Sequence, residues 1–356
     1  MKRMVILAGA LVLFAMVGYS QGKFSGYIFG DYYYNVTRDG SPLSNVASPA
    51  GGTSFQAFQF RRIYFTYDNT INQKFSARFR LEADQSANAS NGAVGVMVKD
   101  ASIKWSNIFA GSDFYFGIQP TPAFEVSEGF WGYRSLEKTI LDLRGIVSSR
   151  DIGMSLRGSI LSNKVLSYWI MLGNGNGNKP ENDKFKRMYL SLETQPVKGL
   201  TATAYVDYNA RAKKTNPYNA ISSVSNDLTT YALFAGYSQK DKFRIGGEVF
   251  MQSIAHEYNN GSSLVSKDAE GFSLFGAATI LPSLEAVARY DYYDPNTASS
   301  AKGDKRMYFL AGLSYKADKN FSITPNVIYE TYEKLPSGVT PKSALTLRAT
   351  LYYIFL

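Results

Sequence analysis

The chain contains no cysteine and one histidine, His256. Without thiols there is no disulfide framework, no thiol nucleophile and no thiolate metal site. A Ser–His hydrolase or a histidine metal cluster would depend on His256 alone, which stands beside Glu257 in a polar stretch that reads as a loop. After Gln21 no apolar run approaches the ~18 residues of a membrane helix. The Gly-Asn run at Gly173–Asn178 lacks the following Lys-Ser/Thr and helix of a phosphate cradle, so it reads as a hairpin loop. The formal charge is +9, but the charges are interleaved with apolar residues and no nucleic-acid-binding module is visible. These gaps leave no catalytic centre, no metal or cofactor site and no nucleic-acid partner to expect.

What is present starts at the N-terminus. Lys2 and Arg3 precede an apolar core over residues 5–17, and Gly18 and Ser20 occupy the −3 and −1 positions of a cleavage site before Gln21. Residues 1–20 are therefore expected to be a signal peptide cleaved after Ser20, and residues 21–356 a single folded unit. Loss of Lys2 and Arg3 takes the charge from +9 to +7. The chain is rich in Tyr (26) and Phe (23), as aromatic girdles at two membrane interfaces would require.

The remainder reads as about sixteen alternating segments. Residues 74–84 are the clearest, with Phe75, Ala77, Phe79, Leu81 and Ala83 on one face and Lys74, Arg78, Arg80, Glu82 and Asp84 on the other. Successive strand side chains point to opposite faces, so such a segment suits a wall with lipid on one side and a polar lumen on the other. The connections alternate between tight turns and long polar loops. That sorting, with strands of roughly ten residues and an even count, predicts an all-β transmembrane antiparallel barrel. The barrel must close, because an open strand edge cannot sit in lipid. The expected location is the bacterial outer membrane. One residue resists: Arg61 shares the parity of Ile63, Phe65 and Tyr67. Either it lies above the apolar band, or a bulge between Arg61 and Arg62 turns both inward.

The organising feature is residues 112–158. Two short alternating runs enclose a connection far longer than a hairpin loop, carrying Pro120, Pro122 and Trp131. Counting turns makes it the third outer loop. Its aromatic and apolar content favours folding into the lumen over an external lid. Its charged residues Glu125, Glu128, Arg134, Lys138, Asp142 and Arg144 are the candidate constriction set. Across the lumen, mid-strand Arg62, Arg78, Arg80 and Arg348 form a candidate basic patch that includes Asp31; Arg289, Glu82 and Asp100 are further candidate lining residues. Basic clusters at a constriction favour anions. The alternative is that these arginines only cross-pair with neighbouring carboxylates and stiffen the wall.

Three stretches resemble the phosphate-selective porin O and P family: Phe58–Asp84 (FQFRRIYFTYDNTINQKFSARFRLEAD), Val98–Trp105 (VKDASIKW), and Phe114–Val126 with the later Arg150–Gly158 (FYFGIQPTPAFEV, RDIGMSLRG). The resemblance covers roughly the N-terminal 160 residues. It implies a sixteen-stranded trimeric porin with a lumen-folded third loop and an arginine ladder, for which Arg62, Arg78, Arg80 and Arg348 are the candidates. The family's central lysine set has no counterpart in this sequence. The expected function is passive diffusion of small polar solutes, with an anion preference of the phosphate kind. The expected partners are outer-membrane lipid, lipopolysaccharide and two further copies of the chain. The alternative is a non-conducting structural or adhesive barrel.

Overall fold

The computed structural model describes residues 21–38, 51–88, 92–160 and 165–356. The expected signal peptide and parts of three expected connections, at 39–50, 89–91 and 161–164, lie outside the described residues. The strands are β1 (Gln21–Thr37), β2 (Gln56–Thr70), β3 (Phe75–Asn88), β4 (Val94–Phe109), β5 (Ser112–Pro120), β6 (Arg150–Ser159), β7 (Leu166–Gly173), β8 (Arg187–Thr194), β9 (Leu200–Asn209), β10 (Lys214–Asn216), β11 (Asn219–Val224), β12 (Leu228–Gln239), β13 (Phe243–Asn259), β14 (Leu264–Leu281), β15 (Leu284–Asp294), β16 (Arg306–Asp318), β17 (Phe321–Tyr332) and β18 (Ala344–Ile354).

Sixteen of these form one closed antiparallel barrel in which each strand pairs with its chain neighbours and β18 pairs back onto β1. The remaining two, β10 and β11, make a separate hairpin, and β9 pairs directly with β12. This hairpin falls in a stretch that reads as a plain loop, because its Lys, Asn and Ser residues carry no apolar alternation. A second difference lies in β13 and β14. Their pairing continues to Asn259 and Leu264, through residues expected to be a polar loop, after a register shift between Ile254 and Tyr258. Within that shift His256 takes a left-handed φ of 52°.

The parity follows the expectation. Phe65, Phe79, Leu233, Val249 and Leu351 face outward and are exposed, while Tyr189, Tyr205, Phe250 and Tyr308 face inward and are buried. The bulge alternative for Arg61 is the one adopted. Phe29 pairs with Arg62 and Gly30 with Phe60, so Arg61 is the extra residue of β2. A second bulge occurs in β4. Arg80 pairs with Asp100 and Leu81 with Val98, leaving Lys99 as the extra residue. Either basic side chain would cost about 2–4 kcal/mol at the lipid midplane, and each bulge turns it into the lumen instead.

The third outer loop enters the lumen. It forms two short helices, α1 (Glu125–Trp131) and α2 (Ile140–Leu143). Gly132, at φ 69°, ends α1 in the left-handed conformation that favours glycine. Trp131, Leu136, Ile140 and Leu141 are fully buried. Two apolar clusters hold the loop. One joins Phe124, Ile140, Leu141 and Ile146 to Tyr205, Phe250 and Tyr293 of the wall. The other joins Trp131, Tyr133 and Leu136 to Phe234, Phe275, Tyr308 and Ile328. The loop thus lies against the wall from β9 to β17 and leaves its other face toward β2–β6.

Candidate functional site: the lumen between loop and wall

Polar clamps fix the loop against the wall. The carbonyl of Leu136 accepts hydrogen bonds from Arg61 and from Arg348, each at 2.7 Å. Arg289 donates to the carbonyl of Lys138 and pairs with Asp291. Arg144 meets Glu330 at 2.8 Å with both side chains fully buried. Ser127 donates to Glu248 at 2.8 Å. Each clamp matches a buried polar group with a partner, which is the condition for burying it at all.

These contacts correct part of the candidate lining set. Arg289 and Arg348 are buried beneath the loop and hold its backbone, because the loop packs on the strands that carry them. Arg144 points from the loop into the wall and not into open lumen. Asp31 is buried and paired with Arg61 at 2.6 Å. Arg78 lies away from the others, near the turn joining β2 and β3, in an exposed pair with Asp68.

On the other side, β2, β3, β4 and the start of β6 present a connected set of ion pairs. Arg62 meets Glu82 at 3.2 Å and Asp84 at 2.5 Å. Lys99 meets the second oxygen of Glu82 at 2.9 Å. Arg80 and Arg150 share Asp100, at 3.4 and 2.5 Å. Arg80 also donates to Thr66 and lies over the Tyr64 ring, 5.5 Å from its centroid. In every pair the cation is the more exposed member. Arg62 is 16% exposed against 1% for Glu82 and 3% for Asp84; Lys99 is 13% against 1%, and Arg80 17% against 0% for Asp100. The wall is close to neutral in sum, yet its lumen surface is basic, with the carboxylates behind. Glu82 and Asp100 therefore act on a solute through the cations in front of them.

The facing surface of the loop is mixed. Glu128 pairs with Arg134 at 2.9 Å, and Asp142 lies 3.5 Å from Arg134 and 3.7 Å from Lys138. Glu125 is the most open carboxylate of the set and lies 3.4 Å from Arg150. Burial, reinforced by nearby Asp142 and Glu125, pushes the Glu128 carboxyl up to about 7 against the pull of Arg134.

Two lining residues, Lys99 and Arg150, escape the sequence reading. Strict alternation with Asp100 inward puts Lys99 outward, and only the bulge reverses it. The cost of a lysine on the lipid face of Ala101, Ile103 and Trp105, with Val94, Val96 and Val98 turned inward beside Asp100, was the available signal, the same one that marks Arg61. Arg150 begins β6 at the loop's return, where the strand pattern alone does not define its direction. Elsewhere, Glu257 pairs with Lys214 at 2.5 Å while His256 contacts Ser225. The carboxylate is thus engaged away from the imidazole, and the arrangement is not a catalytic triad.

No family model and no curated protein matches the chain by sequence. Solved structures do match over its length. The anion-selective porin from Comamonas acidovorans aligns over 94% of this chain and 100% of its own with 12% identity and a TM-score of 0.65. The outer-membrane channel DcaP of Acinetobacter baumannii aligns over 94% and 97% with 12% identity and a TM-score of 0.67. OmpF of Salmonella typhi aligns over 94% and 98% with 13% identity and a TM-score of 0.63. None of this supports the narrower phosphate-selective resemblance. The likeness is one of architecture, and the chain has the sixteen-stranded barrel fold of the bacterial outer-membrane porins.

Proposed function

We propose that this barrel is a passive outer-membrane channel for small polar solutes, with a preference for anions. The layering of the β2–β4 wall carries the reading: Arg62, Arg80 and Lys99 stand toward the lumen, with Glu82, Asp84 and Asp100 behind them. A permeating ion meets the nearer charges first, and low-dielectric walls strengthen their field. The loop supplies the size limit. The anion selectivity named for the Comamonas porin agrees with this direction.

Planar-bilayer reversal potentials in a KCl gradient test the reading. Chloride preference is expected, and the triple variant Arg62→Gln/Arg80→Gln/Lys99→Gln shifts it toward cations. Absence of any conductance sinks the channel; cation preference in the native barrel sinks the anion clause. Competition of phosphate with chloride current tests the phosphate-like clause. We also propose a homotrimer set in lipid and lipopolysaccharide after removal of residues 1–20. Its support is the broad outward apolar surface, including Phe58 and Val96. Mass measurement of the extracted protein checks both the assembly and the cleavage after Ser20.

A further inference from the structure

A second cavity lies below the loop, between residues 129–135 and the short turn that joins β16 to β17. Its volume is about 430 Å³, within the ~300–1,000 Å³ of small-molecule sites. It is at the end of the barrel where Tyr27 and Ile354, near the two ends of the mature strand order, pair with each other. In barrels of this kind that end faces the periplasm.

The lining combines ring faces with a small excess of positive charge. Tyr27, Tyr133 and Tyr352 contribute aromatic surface. Glu285 is shared: Tyr133 donates to it at 2.5 Å, Lys316 donates to it at 2.8 Å, and Arg244 stands 3.9 Å away. One carboxylate therefore faces two cations. Arg134 also borders the cavity, but Glu128 and Asp142 already cover it. Asp318 and Lys319 at the rim cancel each other.

Arg244 is set for a ligand. Its guanidinium lies 5.0 Å from the Tyr133 ring centroid, and its Nε donates to the Trp131 carbonyl at 3.2 Å. A Cβ at Gly132 would stand 3.3 Å from its Nη2, so the glycine lets the guanidinium sit against the loop backbone. Among the described residues its Nη1 and Nη2 make no hydrogen bond. They are the fork that grips a carboxylate through two parallel bonds.

We propose that this cavity is a solute-binding site for a monocarboxylate carried on a six-membered ring. The carboxylate meets Arg244 and Lys316, and the ring lies against the tyrosines, as aromatic faces favour flat or C–H-rich partners. The proposal goes beyond the channel reading. It needs a water-filled lumen but no ion selectivity.

Ligand-observed NMR on the detergent-solubilised barrel tests it with four probes. Benzoate and glucuronate carry both features, acetate only the charge, and methyl glucoside only the ring. Benzoate or glucuronate should bind at least about tenfold more tightly than either of the other two. Arg244→Gln should lower that affinity about tenfold or more, as loss of a charged hydrogen bond implies. Lys316→Gln should act in the same direction, and it leaves the loop contact of Arg244 intact should Arg244→Gln impair folding. Equal binding of acetate, equal binding of methyl glucoside, or no loss in either variant overturns the proposal. Bilayer conductance is read separately. Binding without conductance removes the channel and keeps the site; conductance without binding removes the site alone.

Discussion

The pair between Arg144 and Glu330 offers the sharpest test of how the loop is held. Arg144 follows α2, Glu330 lies on β17, both side chains are out of solvent, and their charged atoms are 2.8 Å apart. The guanidinium sits between the rings of Tyr293 and Tyr308, at 5.3 and 6.0 Å from their centroids. Arg144→Met removes one cation from the buried Glu330 carboxylate, which keeps other partners, among them the Tyr332 hydroxyl donating at 3.1 Å and the charge of Arg306. Breaking a buried pair from one side costs at most about 3–5 kcal/mol, a factor of up to several thousand in a docking equilibrium, and less where other partners remain. The double variant Arg144→Met/Glu330→Leu removes both charges and keeps much of the volume, so it should recover most of that loss.

The loss should appear in the loop before the barrel. The wall strands keep their ladder bonds, and Arg61 and Arg348 still hold Leu136. Deuterium exchange over residues 121–149 should therefore accelerate in Arg144→Met and return toward the native rate in the double variant. Single-channel current should grow noisier in the single variant and quieten again in the double. If the double variant exchanges as fast as the single one, the damage is lost packing and not the unbalanced charge of Glu330.

Because the raised Glu128 group is charged only above about pH 7, acidification from pH 8 to 6 should remove a negative charge from the loop and raise the chloride-to-potassium permeability ratio. Glu128→Gln should hold the acidic value throughout, and a pH-independent native ratio would contradict the raised Glu128 group. Lys99→Met should shift reversal potentials toward cations, since it strips a forward cation from Glu82; an unchanged potential returns Lys99 to wall stiffening. Gly117 has φ 122°, and a Cβ there would stand 2.1 Å from the carbonyl oxygen of Ala101. Gly117→Ala should therefore destabilise the β4–β5 pair by a few kcal/mol, about the scale of enforced backbone strain, as read by denaturant unfolding. Native stability in that variant would show that the strand shifts freely.

The wall was legible in the sequence because a barrel strand records its two environments at every second residue. The lipid face of Lys74–Asp84 can be read directly, and Phe79 of that face is exposed while Glu82 and Asp84 of the other are buried. What parity cannot show is where it changes. Each bulge shifts every later side chain to the other face, and the residue that causes the shift belongs to neither pattern. Arg61 exposes its bulge because an outward arginine is costly. Lys99 hides the other behind Asp100, which already satisfies the inward pattern. The β10–β11 hairpin was illegible for another reason: it is a separate sheet outside the barrel wall, so it has no lipid face to record.

The role of each wall arginine was less legible than its inward direction, and the difference changes the functional argument. Inward is not the same as facing the pore once a loop fills part of the lumen. Arg62, Arg289 and Arg348 are alike in sequence, all mid-strand and of lumen parity. Arg289 and Arg348 each give one hydrogen bond to a loop carbonyl, at Lys138 and Leu136, and their other donors to Asp291 and Asn326 of the wall. Arg61, brought inward by its bulge, does the same. Arg62, Arg80 and Lys99 end on carboxylates buried behind them, so their outer sides remain toward solvent. The second arrangement projects a field into the lumen, and the first positions the loop that narrows it. Neutralising Arg62 and Arg80 should therefore change selectivity with conductance retained, whereas neutralising Arg348 should change conductance through the loop, with a smaller effect on selectivity.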